Sequence, residues 1–286
     1  MIEENYLDFA LSYARGGFVT NKGLEREPNY RPDLQNHETS ICIGMNICRN
    51  LGKVIVRNNF IRNMNARGIL VFDNWETADI EIVNNTIISE VFGAYPYNNP
   101  MSGAGILVQS AWSEPRSGGR VKIGGNKILC DKVNHCGIAV YGPAMYQEGA
   151  GKLETCIVVD NEVSLKDGSI GVIIRRSDST EVSNNKMSGK AYYGLQVTGS
   201  EDRQGIDLSA KDNKFEDNDM EGLEIKEPDE YSDGHVDGRM FTGSDGRSAT
   251  ANVWLNKYSE GNLIKVKASE TVIDEGEDNT VTSESE

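Results

Sequence analysis

Apolar and polar residues alternate along this chain in short runs, and the runs recur. Val54 with Val56, Ile80 with Ile82, Val121 with Ile123, Cys156 with Val158, Thr180 with Val182 and Leu208 with Ala210 each form a period-two pair. Three residues after each pair comes an asparagine, at Asn59, Asn85, Asn126, Asn161, Asn185 and Asn213. Two residues further on stands another apolar side chain, Ile61, Ile87, Ile128, Val163, Met187 or Phe215. Period two predicts a strand, the asparagine a turn, and the trailing apolar residue a second short strand.

A second register follows the first. The runs GILVF, GILVQ, GIAVY, GVIIR, GLQVT and GLEIK begin at Gly68, Gly105, Gly137, Gly171, Gly194 and Gly222. The Asn-to-Gly interval is nine to eleven residues in five units and twenty in the unit carrying an insertion. Successive asparagines are 26, 41, 35, 24 and 28 residues apart, so the short intervals give one compact coil and the long ones a coil plus an excursion. One such unit cannot bury its apolar face alone, whereas units stacked at the ~4.8 Å strand spacing share a continuous core. Asparagine suits the turn because it tolerates left-handed backbone and can bond to its equivalents above and below. Glycine is expected to permit a sharp corner. A β-sandwich would not repeat both turn chemistries in one order. The predicted fold is therefore all-β: a single-stranded right-handed parallel β-helix, or solenoid.

The pattern divides the chain. Residues 1–40 precede the repeat, and within residues 2–15 the positions Ile2, Tyr6, Phe9, Ala10 and Tyr13 share one helical face, which predicts a capping helix over the first coil. Residues 41–268 form the β-helix, with excursions at 88–104, 110–120, 142–155 and 227–250. The last segment, 269–286, holds seven acids and no base, and predicts a tail frayed at its end.

Thirty glycines and 38% hydrophobic residues fit many short strands joined by turns. A net charge of −15 repels phosphate backbones and anionic lipid, which argues against nucleic acid or membrane partners. Cys42, Cys48, Cys130, Cys136 and Cys156 lack C-x-x-C spacing and read as reduced cysteines filling the core, not as a zinc site or disulfide framework. No apolar stretch reaches membrane-spanning length. The first residues carry acids where a secretory leader needs bases, so the chain as written reads as cytoplasmic, or as extracellular if cut from a longer precursor.

With its paired Asn and Gly-Ile registers, the chain resembles the pectate-lyase-like superfamily of parallel β-helix proteins. The resemblance covers residues 41–226, with a fainter echo in ANVWLN, NLIKVKA and EDNTV. It implies a carbohydrate-active protein that binds an acidic polysaccharide, with cleavage by β-elimination as the further activity the superfamily offers. The same superfamily holds non-catalytic spikes and adhesins, so a structural or adhesive solenoid, with a second copy as partner, is the alternative.

Alternation sends the first and third residues after each glycine inward and the others outward. The fourth positions then form an outer stripe of Phe72, Gln109, Tyr141, Arg175, Thr198 and Lys226. The second positions, Leu70, Leu107, Ala139 and Ile173, are apolar for an outer face, which predicts a cover or a partner chain. On that face Arg175 and Tyr141 are the candidate catalytic residues, with Lys226 a further candidate base. Trp75, Trp112 and Tyr146 would stack on sugars, Gln109 would bind them, and Arg176 would pair with a uronate carboxylate. Calcium is the candidate cofactor, with Glu114, Asp160 or Asp178, or the loop carboxylates Asp229, Asp233 and Asp237, as oxygen donors. No carboxylate pair suits a hydrolase, and the paired-Asp, Gly-His-Gly and epimerase signatures of related families are absent. His37, His135 and His235 lack partners at ligand spacing.

Overall fold

The computed structural model describes residues 1–8, 43–62, 67–89, 104–110, 119–130, 136–142, 153–166, 170–201, 207–227 and 250–284. Among these residues there is no helix, and the strands follow one another in a cycle of three. Arg67–Phe72, Asp79–Val83 and Thr86–Ser89 make one coil; Ala104–Gln109, Arg120–Gly124 and Lys127–Cys130 make the next. Each strand pairs in parallel with its equivalents in the coils above and below. Three parallel sheets result, of nine, seven and eight described strands. Asp79–Val83 lies in the first, Thr86–Ser89 in the second and Arg67–Phe72 in the third. The chain is a single-stranded parallel β-helix, wound in the right-handed sense that twisted strands impose on parallel crossovers.

The sequence repeats become columns. Val54, Ile80, Val121, Cys156 and Thr180 stack along the first sheet in register. Ile61, Ile87, Ile128, Val163 and Met187 do so along the second. Ile69, Ile106, Ile138, Val172, Leu195 and Val253 do so along the third. All three columns point into one buried core, to which apolar burial contributes roughly 25 cal/mol per Å².

The turn chemistry differs from expectation in two respects. The left-handed residue is the one before each ladder asparagine: Asn58, Asn84, Gly125, Asp160, Asn184 and Asp217 all have positive φ. The ladder asparagine itself is buried, as at Asn85 and Asn126, because both ends of its side chain are used in bonding to neighbouring coils. The leading glycines do not turn corners either, since they sit inside third-sheet strands. They are small because a Cβ on Gly105 would lie 2.5 Å from Ile128 Cγ2 and 2.7 Å from the Gly137 carbonyl oxygen. Gly68 and Gly137 meet the same obstacles in their own coils.

Register also shifts near the C-terminal end. Asn185 bonds to Asn218, not to Asn213. Asn213 heads a separate ladder through Asn262 to Asn279, and Phe215 pairs with Val182 in the first sheet. The run GLEIK continues a second-sheet strand, Asp219–Ile225, in which one extra residue makes a bulge opposite Lys186 and Ser188. Its place in the third sheet is taken by Ala251–Leu255, with Asn252 where the other coils have glycine. Lys226 is therefore not on the outer stripe, and its Nζ lies 5.0 Å from the centre of the Tyr192 ring.

Both ends depart from expectation. Ile2–Glu3 and Tyr6–Asp8 are strands that begin the first and second sheets, so the predicted capping helix does not start at Ile2. Its remainder lies outside the described residues. The acidic segment does not fray over its described part: Val272–Asp274 and Thr280–Glu284 add strands to the third and first sheets. Most of each of the four excursions lies outside the described residues.

Candidate functional site

The three outer faces differ in chemistry. Those of the first and second sheets carry exposed charges paired between coils, such as Lys53 with Glu81 at 2.6 Å and Lys127 with Glu162 at 3.5 Å. Exposed pairs of this kind contribute little stability and describe a solvated surface. The outer face of the third sheet is apolar and closed. Leu107 and Ala139 are 1% exposed and Ile173 2%, within a second buried cluster that also holds Cys136, Tyr193 and Trp254. The second-position side chains of the outer face are thus buried, as their apolar character leads one to expect.

Parallel pairing sets Phe72, Gln109, Tyr141, Arg175 and Thr198 side by side along this face, as alternation predicts. Tyr141 is 5% exposed. Burial pushes its phenol up and the Cys136 thiol adds to that, while Arg175 and then Arg67 pull it down. The net result keeps the phenol protonated at neutral pH. Arg67, which was missed in the sequence reading, is held below its ordinary value by burial, and Tyr141 opposes that effect. It stands at the start of its strand, away from the fourth positions, so no repeat register singles it out; its reach from there is a tertiary property. Arg175 is half-buried.

Gln109 is 3% exposed and its Nε2 has no hydrogen-bond partner. Beside it, Ser110 is wholly buried with its Oγ likewise unpartnered. Arg176 lies one residue past the face, in left-handed backbone, and its Nε donates to Ser200 Oγ at 2.8 Å. Trp75 sits on the corner between the third and first sheets, 38% exposed, its backbone N–H donating to the Asn50 carbonyl. Neither Arg176 nor Trp75 shares the plane of the stripe. Trp112 and Tyr146 lie outside the described residues.

The candidate calcium donors are dispersed. Asp160 occupies a left-handed turn position and Asp178 accepts a hydrogen bond from the Lys211 backbone N–H. Among the described residues no three His, Cys, Asp or Glu side chains gather at metal-binding distance. Glu114, Asp229, Asp233 and Asp237 lie outside them, as do His37, His135 and His235. No described helix is long and apolar enough to cross a membrane.

Comparison with protein-family models, curated proteins and solved structures found no match. The parallel β-helix is therefore established by strand pairing and the ladders alone, and function must be argued from this face.

Proposed function

We propose that this protein is a carbohydrate-binding β-helix of the pectate-lyase-like kind that holds an acidic polysaccharide against the half-buried Arg175 and Arg176 at the edge of its third sheet. One arrangement carries the reading: Tyr141 and Arg175 stand in register on adjacent coils. A guanidinium beside a protonated hydroxyl offers a uronate carboxylate both charge and directed donors. The coils repeat at ~4.8 Å, so a polymer lying along the stack meets a new row of side chains at each step.

The chemistry favours binding over cleavage at neutral pH. β-Elimination needs a base to take the proton beside the carboxylate. A guanidinium holds its proton throughout the accessible range, and burial keeps the Tyr141 phenol protonated as well. Any elimination by this pair would be confined to strongly alkaline solution, with calcium the candidate for acidifying the substrate.

A structural or adhesive solenoid is the second reading, favoured by the closure of the stripe around Leu107, Ala139 and Ile173. With those three side chains buried, association of chains would use another surface.

Calorimetric titration with oligouronates separates the two. Under the glycan reading the protein binds, binding weakens with salt, and Arg175→Ala lowers affinity at least tenfold, on the order of a lost charge-assisted pair. Absence of binding across uronate types, with and without calcium, would leave the solenoid reading in place.

A further inference from the structure

The first sheet ends on Thr280–Glu284, which pairs on one side only, with Leu263–Lys267. All five of its residues are exposed. Val281 continues the inward column above the fully buried Ile264, yet it is 39% exposed because no described strand follows it. An unpaired edge of this kind is a template for another strand, and folds commonly blunt it with shortness, lysine, proline or a bulge. The opposite edge of the same sheet is blunted in that way, since Ile2–Glu3 is two residues long. Thr280–Glu284 carries none of these devices.

Its backbone groups specify what fits. In parallel pairing, alternate residues turn both their N–H and their C=O toward the same neighbouring strand. The Thr280 N–H donates to the Asn262 carbonyl and the Glu284 carbonyl accepts from the Ala268 N–H, so Thr280, Thr282 and Glu284 are the residues that face the sheet. The N–H and C=O of Val281 and Ser283 therefore point away from it, as two donors and two acceptors. An antiparallel copy of the same strand, related by a two-fold axis at Thr282, sets Val281 opposite Ser283 and Ser283 opposite Val281, and pairs all four groups at once. An axis at Val281 or Ser283 pairs only half of them within the strand. Side chains suit the same register. The axis runs normal to the sheet, so both inward faces stay on one side and the open face of Val281 is covered across the junction. Thr282 meets Thr282, and Glu284 meets Thr280, so no like charges are opposed.

We infer that Thr280–Glu284 is an interface with a second copy of this chain, in a two-fold dimer whose first sheets join edge to edge. Such a contact uses the same patch on both copies and closes, so it makes dimers and not fibres. It is independent of what the third-sheet face binds, and the glycan titration and the test below can fail separately. Two five-residue strands cover far less than the ~1,200 Å² of stable complexes, so the dimer is weak and depends on concentration. A net charge of −15 on each copy opposes it, and salt should therefore strengthen it.

Sedimentation velocity on the full chain, from about 10 μM to about 1 mM and in about 0.05 and about 0.5 M sodium chloride, reads the dimer fraction. The expected result is a fraction that rises with concentration and is larger at the higher salt. Ser283→Pro removes an outward N–H that pairs only across the junction, a change that an edge strand tolerates. Thr282→Glu sets two carboxylates face to face on the axis. Each should raise the dissociation constant at least tenfold and leave the melting curve of the dilute protein in place. A wild-type chain that stays monomeric at the highest concentration in both salts would overturn the inference. So would a dimer that tolerates both changes, since its contact lies elsewhere. A monomer that instead takes up a synthetic TVTSE peptide would assign the edge to a peptide partner and likewise remove the second copy as its occupant.

Discussion

Asn85 donates its backbone N–H and its side-chain amide to the same atom, Asn126 Oδ1, at 2.9 and 3.0 Å, across forty-one residues of sequence. Asn126 repeats the gesture toward Asn161 and sends its own Nδ2 back to the Ile82 carbonyl at 2.9 Å. Each ladder side chain therefore satisfies groups on two neighbouring coils.

Asn126→Ala should be among the most damaging single changes. It takes the Oδ1 partner from the Asn85 backbone N–H and the Nδ2 donor from the Ile82 carbonyl, while the Asn85 amide keeps its bonds to the Val56 and Val83 carbonyls, at a cost of roughly 1 to 3 kcal/mol. Urea unfolding would measure this, and a loss below about 0.5 kcal/mol, the size of an ordinary surface substitution, would refute the ladder as a stabilising device.

Two glycines should behave oppositely. A Cβ at Gly105 lies 2.5 Å from Ile128 Cγ2, whereas at Gly52 nothing lies within 4 Å. Gly105→Ala is expected to destabilise by roughly 1 to 3 kcal/mol through overpacking. Gly52→Ala should be neutral or slightly stabilising because it restricts the unfolded chain. Equal thermal midpoints for the two variants would contradict close packing as the reason for the glycine register.

Alkali should weaken the fold through its buried thiols. Burial pushes Cys136 and Cys156 up to about 12, against an ordinary value near ~8.5. The folded state therefore holds protons that the unfolded state has released. Their contribution is fully present below pH ~8.5 and is lost as pH rises towards 12, by up to about 1.4 kcal/mol per unit for each thiol. Stability measured from pH 8 to 11 should fall, and fall less steeply in Cys136→Ala and Cys156→Ala. In native protein a thiol reagent should modify exposed Cys48 and leave Cys130, Cys136 and Cys156 untouched.

Removal of residues 269–286 tests whether the acidic segment is structural. Ile273 pairs with Trp254, Glu275 accepts from the Trp254 indole at 3.5 Å, and Asn279 ends the ladder that runs through Asn262. Truncation should lower the thermal midpoint by several degrees and raise Trp254 exposure to quenchers. A midpoint identical to the full chain would mean that these strands add nothing.

Much of this was legible in the chain because a β-helix converts sequence period into vertical neighbours. Asn59 through Asn185, and the apolar positions two residues beyond each, are columns because each coil meets equivalent strands above and below. The same logic placed Tyr141 beside Arg175. It failed where local pattern and pairing part company. KDNKF and EDNDM both carry an asparagine followed two residues later by a large apolar residue, and only pairing shows that Asn218, not Asn213, continues the ladder from Asn185. GLEIK looks like every other glycine-led run, but the bulge after Lys186 keeps it in the second sheet.

By itself, then, the sequence determined the repeat, the alternation and the parallel β-helix, since these follow from residue spacing and the need of each coil to bury one face. Tertiary structure alone decided that Lys226 leaves the outer stripe for the Tyr192 ring, that Tyr141, Leu107, Ala139 and Ile173 are buried on that face, and that Asn218 continues the ladder. Those outcomes depend on which side chains occupy the same space between coils, a property that spacing along one strand does not encode.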